Sequence, residues 1–276
     1  MSRVSEAIRE ANGEGRAALV VYLPAGFPDM DTSRACLEAA AEAGADLLEV
    51  GFPYSDPLMD GPVIQQANQV AMDAGYTPHD DIEMCAQLDA NLDIPSLVMT
   101  YYNICWHYRA PDRLAGFARA AADAGLSGAI VPDLPVAESA PWLRVAADVG
   151  LASVFLAAST SDDAHLASAA DASTGFVYAT STLGVTGTRE SLSQRAEPLV
   201  SRLRAVTDRP VCVGIGVSTA DHAAAVAGFA DGVIVGSAAV RAAADGGPVA
   251  VKRLVAALAQ GCRRGYRAPA SSESAR

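Results

Sequence analysis

The chain has 276 residues, 51% hydrophobic and 19% charged, with Lys+Arg 20 against Asp+Glu 32 for a net charge of -12. This composition excludes disorder over the whole length, and the acidic balance argues against nucleic acid, whose phosphate backbone would meet a repulsive field. A small phosphorylated metabolite stays open, because backbone N–H groups bind phosphate without Lys or Arg.

In chain order, a helix over Ser2 to Ala11 precedes a first strand, Ala18 to Leu23. An Ala-rich helix from Thr32 to Ala43 closes at Gly44 and leads into the strand Leu47 to Val50. A helix opened by Pro62 and a further one, Pro78 to Ala90, precede the strand Ser96 to Met99. The pattern then repeats: helix Pro111 to Ala124 with Gly125 and strand Ala129 to Val131, then helix Ala137 to Val149 with Gly150 and strand Ser153 to Leu156. Strand Phe176 to Ala179, helix Leu192 to Arg204, strand Val211 to Val213, helix Thr219 to Ala227 with Gly228 and strand Gly232 to Val235 follow. A short helix, Ser237 to Ala244, and a last one, Val249 to Gln260, end the series. Each helix-Gly-strand join reads as a helix closed by a C′ glycine and followed by a strand buried on both faces.

Eight strands alternating with helices predict a parallel sheet closed as a (β/α)8 TIM barrel, with extra N-terminal and inserted helices. The competing architecture, an open doubly wound sheet, lacks its G-x-G-x-x-G after the first strand. A single domain over 1–262 and a flexible tail over 263–276 are expected, the latter from Ser271, Ser272 and Ser274. The cysteines, Cys36, Cys85, Cys105, Cys212 and Cys262, are odd in number and form no C-x-x-C pair, the pattern of reduced thiols in a cytoplasmic protein. Charges through Met1 to Arg16 replace the apolar core of a signal peptide, and no segment offers the roughly 18 apolar residues of a membrane span.

Chemistry is expected at the carboxyl ends of the strands. Glu49 interrupts the apolar run Leu47-Leu48-Glu49-Val50, where an ionised side chain is costly unless it is used. Burial would raise its pKa and keep a proton available for acid catalysis; a structural carboxylate paired to a cation is the alternative. Asp60 lies in the following loop just ahead of Pro62, and by spacing it reads as a helix N-cap sooner than as a catalyst. Asp56 carries the same ambiguity. Glycine-rich joints, Gly184-Val185-Thr186-Gly187, Gly214-Ile215-Gly216 and Gly236-Ser237, end the last three units, the usual place of a phosphate cradle. His79, His107, His165 and His222 have no metal-ligand spacing, so no metal is implied, and no Lys ends a strand to form a Schiff base.

The segment Leu48-Glu49-Val50-Gly51-Phe52-Pro53-Tyr54-Ser55-Asp56-Pro57-Leu58-Met59-Asp60-Gly61-Pro62 resembles the signature of the tryptophan synthase alpha chain family, and Gly184-Val185-Thr186-Gly187 resembles its second hallmark. Pro132-Asp133-Leu134-Pro135, Val213 to Ser218 and Val235 to Ala238 follow in family order, so the resemblance runs from about Ser2 to about Gln260. It implies a carbon–carbon lyase that splits indole-3-glycerol phosphate into indole and glyceraldehyde 3-phosphate. Glu49 would protonate indole C3 and Asp60 would accept the indole N–H. Tyr22, Ile64, Met99, Tyr101, Pro132, Tyr178, Thr186 and Ile215 would surround the indole and glycerol, with the phosphate on Gly187, Gly216, Gly236 and Ser237.

The resemblance further implies no cofactor on this chain and a beta-chain partner that carries pyridoxal phosphate, in an alpha2beta2 heterotetramer. Tyr54 to Asp60 and Thr182 to Gln194 would be its mobile lids. The run Ile104-Cys105-Trp106-His107-Tyr108-Arg109 departs from the family, leaving Trp106 either an altered interface anchor or a side chain tucked against the barrel. A lyase working alone and releasing free indole is the alternative function.

Overall fold

The computed structural model describes residues 1–108, 111–180, 189–214 and 216–267, with the backbone alone over 189–195. The eight strands are β1 (Ala18–Pro24), β2 (Leu47–Gly51), β3 (Ser96–Met99), β4 (Gly128–Ile130), β5 (Ala152–Ala158), β6 (Val177–Thr180), β7 (Val211–Gly214) and β8 (Gly232–Val235). They pair in parallel in sequence order, and β8 returns to β1 through Ala18 opposite Gly232 and Val20 opposite Ile234, so the barrel closes. The open-sheet alternative is thereby excluded.

The interior is filled as period-two alternation dictates. Val20, Leu47, Leu97, Ile130, Val154, Phe176, Cys212 and Ile234 form one buried cluster, drawing a side chain from each strand or, for Phe176, from the residue just before one. Val4, Ile8 and Ala11 join the same cluster. They come from helix α1 (Arg3–Gly13), which therefore stoppers the amino end of the barrel. Ile8 is fully buried there. Ile8→Ala is expected to cost about 2–5 kcal/mol in chemical denaturation while leaving turnover per folded molecule unchanged, since the strands' carboxyl ends lie opposite.

The outer layer comprises α2 (Met30–Glu42), α3 (Pro62–Asp73), α4 (Pro78–Asn91), α5 (Tyr102–His107), α6 (Arg113–Asp123), α7 (Ala140–Asp148), α8 (Asp163–Ala172), α9 (Arg189–Arg204), α10 (Ala220–Ala227) and α11 (Ser237–Gly265). Several differ from expectation for local reasons. Gly44, Gly125 and Gly150 close their helices at φ 105, 80 and 76, but Gly228 caps α10 at φ -69, in the right-handed region. The helix expected from Ala137 begins at Ala140, after a 3₁₀ turn over Val136–Glu138, because Pro141 lacks an N–H and fits only a first turn. The helix expected from Pro111 starts at Arg113, whose φ of 48 breaks the run ahead of it.

The two final helices meet at a kink in α11, where Gly246 and Gly247 leave helical geometry ahead of Pro248. The second half runs to Gly265, beyond the boundary expected at residue 262, because it lies on α10: side chains at Gly261 and Gly265 would collide with the carbonyls of Ala220 and Ala224. Of the expected tail, 268–276 lies outside the described residues. Among the described residues no helix is long and apolar enough to cross a membrane.

Candidate active site

Glu49 follows Leu47 by two residues in β2 and stands opposite Tyr22 of β1 and Leu97 of β3, which puts its side chain on the barrel's inner face, one layer above the apolar cluster. It is 1% exposed, and its Oε2 has no hydrogen-bond partner among the described residues. Burial, and then the charge of Asp60, push its carboxyl from 4.5 to about 8. No cation among the described residues pairs with it, so the structural ion pair weighed above is not formed.

The loop after β2 delivers Asp60, which does not cap α3. Gly61 occupies the N-cap position, without any side-chain cap, and Pro62 opens the helix. The Asp60 N–H donates to the Pro57 carbonyl at 3.0 Å, a turn that frees the carboxylate to face inward. There its Oδ2 accepts from the Tyr101 hydroxyl and from Asn68 Nδ2, both at 3.3 Å. Burial raises its pKa to about 6, against the lowering effect of those two bonds. Tyr101 in turn accepts from the Met59 N–H at 3.1 Å and stacks on Tyr54 at 4.9 Å, so three contacts tie the loop to this side chain two residues past β3. Asp56 is exposed and accepts from its neighbour Ser55, apart from this set.

Two phenols complete the set. Tyr22 and Tyr178 have their pKa values driven up by burial and then by Asp60 and Glu49 (Tyr22) or by Glu49, Cys212 and Asp60 (Tyr178). Their hydroxyls occupy the space that a side chain at Gly51 or Gly214 would take, which is why glycine ends β2 and β7. Ile64 and Tyr22 both lie beside Gly236, within 3.7 Å of where its Cβ would stand. Met99, half-buried, is in register with Gly51 and Ile130, and Pro132 is half-buried two residues beyond β4.

Gly236 is the N-cap of α11 with no side-chain cap, Ser237 opens that helix, and Gly216, at φ 78, lies two residues past β7. These three occupy the same barrel rim, with helix N–H groups open to an anion. Thr186, Gly187 and Ile215, with most of the segment Thr182 to Gln194, lie outside the described residues.

Sequence spacing keeps the histidines apart, yet the structure brings His79 and His107 together on a cavity of about 610 Å³, with Thr77, Pro78, Asn103, Ile104 and Tyr108. His165 and His222 donate backbone N–H groups to the caps Asp162 and Thr219. Among the described residues no three His, Cys, Asp or Glu side chains converge as a metal would require. Trp106 is half-buried, stacked on Tyr102 at 5.9 Å and covered by the Arg113 guanidinium at 4.4 Å, so the tucked arrangement holds. The bonds of Asn68 and Gln65 to Asp60 were not foreseeable from motif spacing; a buried Asn on a helix of small apolar neighbours was the available signal.

Residues 8–263 match the family model described as tryptophan synthase alpha chain. A tryptophan synthase alpha chain from Streptomyces avermitilis is 48% identical over 267 residues, covering 95% of each chain. One from Leifsonia xyli is 47% identical, over 96% of this chain and 100% of its own. A solved structure of Mycobacterium tuberculosis tryptophan synthase superposes with a TM-score of 0.89 at 42% identity, covering 95% of this chain and 98% of that one. Barrel, carboxylate pair and matches agree: the chain belongs to the tryptophan synthase alpha chain family.

Proposed function

We propose that Glu49 and Asp60 perform the retro-aldol cleavage of indole-3-glycerol phosphate, as the catalytic pair of this carbon–carbon lyase. The observation that carries the reading is the contrast between two neighbouring buried carboxyls: the pKa of Glu49, whose Oε2 has no hydrogen-bond partner among the described residues, is pushed up to about 8 by burial, while that of Asp60, hydrogen-bonded to Tyr101 and Asn68, is raised only to about 6. Near neutrality one is an acid and the other an anion.

Glu49 donates its proton to indole C3, and the ring becomes an indolenine whose nitrogen carries positive charge. Asp60 accepts the indole N–H and stabilises that charge as it develops. The Glu49 carboxylate then takes the hydroxyl proton from the adjacent carbon. The bond from C3 breaks, its electron pair returns to the ring, and indole and glyceraldehyde 3-phosphate leave with Glu49 reprotonated. Tyr22, Ile64, Met99, Tyr101, Pro132 and Tyr178 would surround the indole and glycerol, and Gly216, Gly236 and Ser237 would offer N–H groups to the phosphate. Thr186, Gly187 and Ile215 complete the set on family resemblance alone.

The sole lysine, Lys252, is ion-paired to Glu42 on the surface, so the chain offers no amine for a Schiff base at this site. We assign no cofactor to it and place pyridoxal phosphate on a beta chain, in an alpha2beta2 assembly. The matched relatives are alpha chains, which favours this subunit role over a lyase acting alone.

The deciding experiment incubates the purified chain with indole-3-glycerol phosphate, following indole and glyceraldehyde 3-phosphate with and without a beta chain. Slow turnover that rises sharply with the partner supports the reading; fast turnover alone means a self-sufficient lyase, and none under either condition overturns it. The pH profile of kcat/KM should be a bell. Activity falls below about pH 6 as Asp60 takes a proton and above about pH 8 as Glu49 loses one. Both limbs belong to the coupled pair. A flat profile across pH 5 to 9 would contradict the assignment.

A further inference from the structure

We propose that Asn68 is a positioning residue for the cleavage, clamping one oxygen of Asp60 so that the other faces the substrate; the proposal rests on the role given to Asp60 above. Gln65 and Asn68 are three residues apart and so share one face of α3. From that face Gln65 Nε2 donates to the Asp60 backbone carbonyl at 2.9 Å, and Asn68 Nδ2 donates to Asp60 Oδ2 at 3.3 Å. The helix that follows the loop thus reaches back and holds both the main chain and the side chain of the residue two places before it begins.

Asn68 is 2% exposed, beside the buried Ala67 and Ala71. An amide buried in such surroundings is costly unless its hydrogen bond is needed, and its Oδ1 has no partner among the described residues. The Tyr101 hydroxyl, from beyond β3, donates to the same Oδ2, also at 3.3 Å. Both donors therefore fall on Oδ2, and among the described residues nothing donates to Oδ1. One carboxylate oxygen is held and the other is left to receive the indole N–H. An oxygen fixed before the substrate arrives needs no reorganisation when charge develops on the ring.

The titratable groups around Asp60 are Tyr22 from β1, Glu49 from β2, Tyr101 after β3 and Tyr178 from β6. None of them is a cation, so the amide of Asn68 and the phenol of Tyr101 are the hydrogen-bond donors that favour the anion.

The test measures kcat and KM against pH for Asn68→Ala, Asp60→Asn and the double variant, all with the full chain. Asn68→Ala should lower kcat/KM roughly tenfold, the value of one hydrogen bond to a charged group, and move the acid limb of the profile to higher pH. In the Asp60→Asn background the same change should alter kcat/KM less than about twofold, because Asn68 acts through Asp60. A partly unfolded preparation scales the rate equally at every pH and leaves the limb in place. Should Asn68→Ala not fold, Asn68→Leu, of similar size and with neither donor nor charge, carries the same test. An unmoved acid limb, or an equal loss in both backgrounds, overturns the role of Asn68 and leaves Asp60 standing. An undiminished rate in Asp60→Asn overturns the reading beneath it.

Discussion

Glu49→Gln is expected to lower turnover at least about 100-fold, and at alkaline pH to melt at a higher temperature than the unsubstituted protein. The loss follows because glutamine fills the same space yet can neither give a proton to indole C3 nor take one from the hydroxyl. The gain follows from linkage. The Glu49 carboxyl ionises near 4.5 when exposed in the unfolded chain but only near about 8 when folded. Between those values the folded state holds the extra proton, so the stability of the unsubstituted protein falls as pH rises. Glutamine has no such proton; its advantage opens above about pH 4.5, grows through neutrality and levels off beyond about 8. Thermal melts at pH 5 and pH 9, read beside indole release, check both halves, with a rise of a few degrees expected at the higher pH. Full turnover in the variant would remove Glu49 from the chemistry. A lower melting temperature at pH 9 would mean that the orphaned oxygen has a partner.

Asp60→Asn is expected to lower kcat/KM by a comparable or smaller factor, on the order of 10². The amide preserves the shape of the carboxylate but not the charge, so the indolenine nitrogen loses its counter-charge while the loop keeps its fold. The acid limb of the pH profile, assigned to Asp60, should vanish and the alkaline limb should stay, moved to lower pH because Asp60 no longer raises Glu49. Steady-state rates at a series of pH values decide this. If the rate is unchanged, Asp60 is only a loop fastener bonded to Tyr101 and Asn68.

Much of the barrel is legible because its signals are local. Buried strands in a parallel sheet must be apolar on both faces, so runs such as Leu19 to Leu23 and Gly232 to Val235 announce themselves, and Glu49 stands out against its own strand. What stays hidden depends on partners distant in sequence. The helix α5, Tyr102–His107, has too few residues to show a period, and its position is fixed by the Tyr102 N–H donating to Asp133 beyond β4. The Asp60 cap reading failed because Asp, Gly and Pro in succession suit two geometries; the Asp60 bonds to Tyr101 and Asn68, 41 and 8 residues away, select the one with the carboxylate turned inward. The kink and extension of α11 depend likewise on its contact with α10.

The stopper helix α1 has a consequence for how the molecule comes into being. Ser2 and Ser5 donate to the carbonyls of Thr174 and Gly175, 172 and 170 residues downstream, and Arg9 donates to that of Asp208, 199 downstream. The first strand waits longer still, since Ala18 finds its closing neighbour only in Gly232. Helix α1 is thus made well before the segments it bonds to, and the apolar stripe Val4, Ile8 and Ala11 stays uncovered until the strands between them have been made. The barrel cannot close until β8, the last strand made, reaches β1, the first.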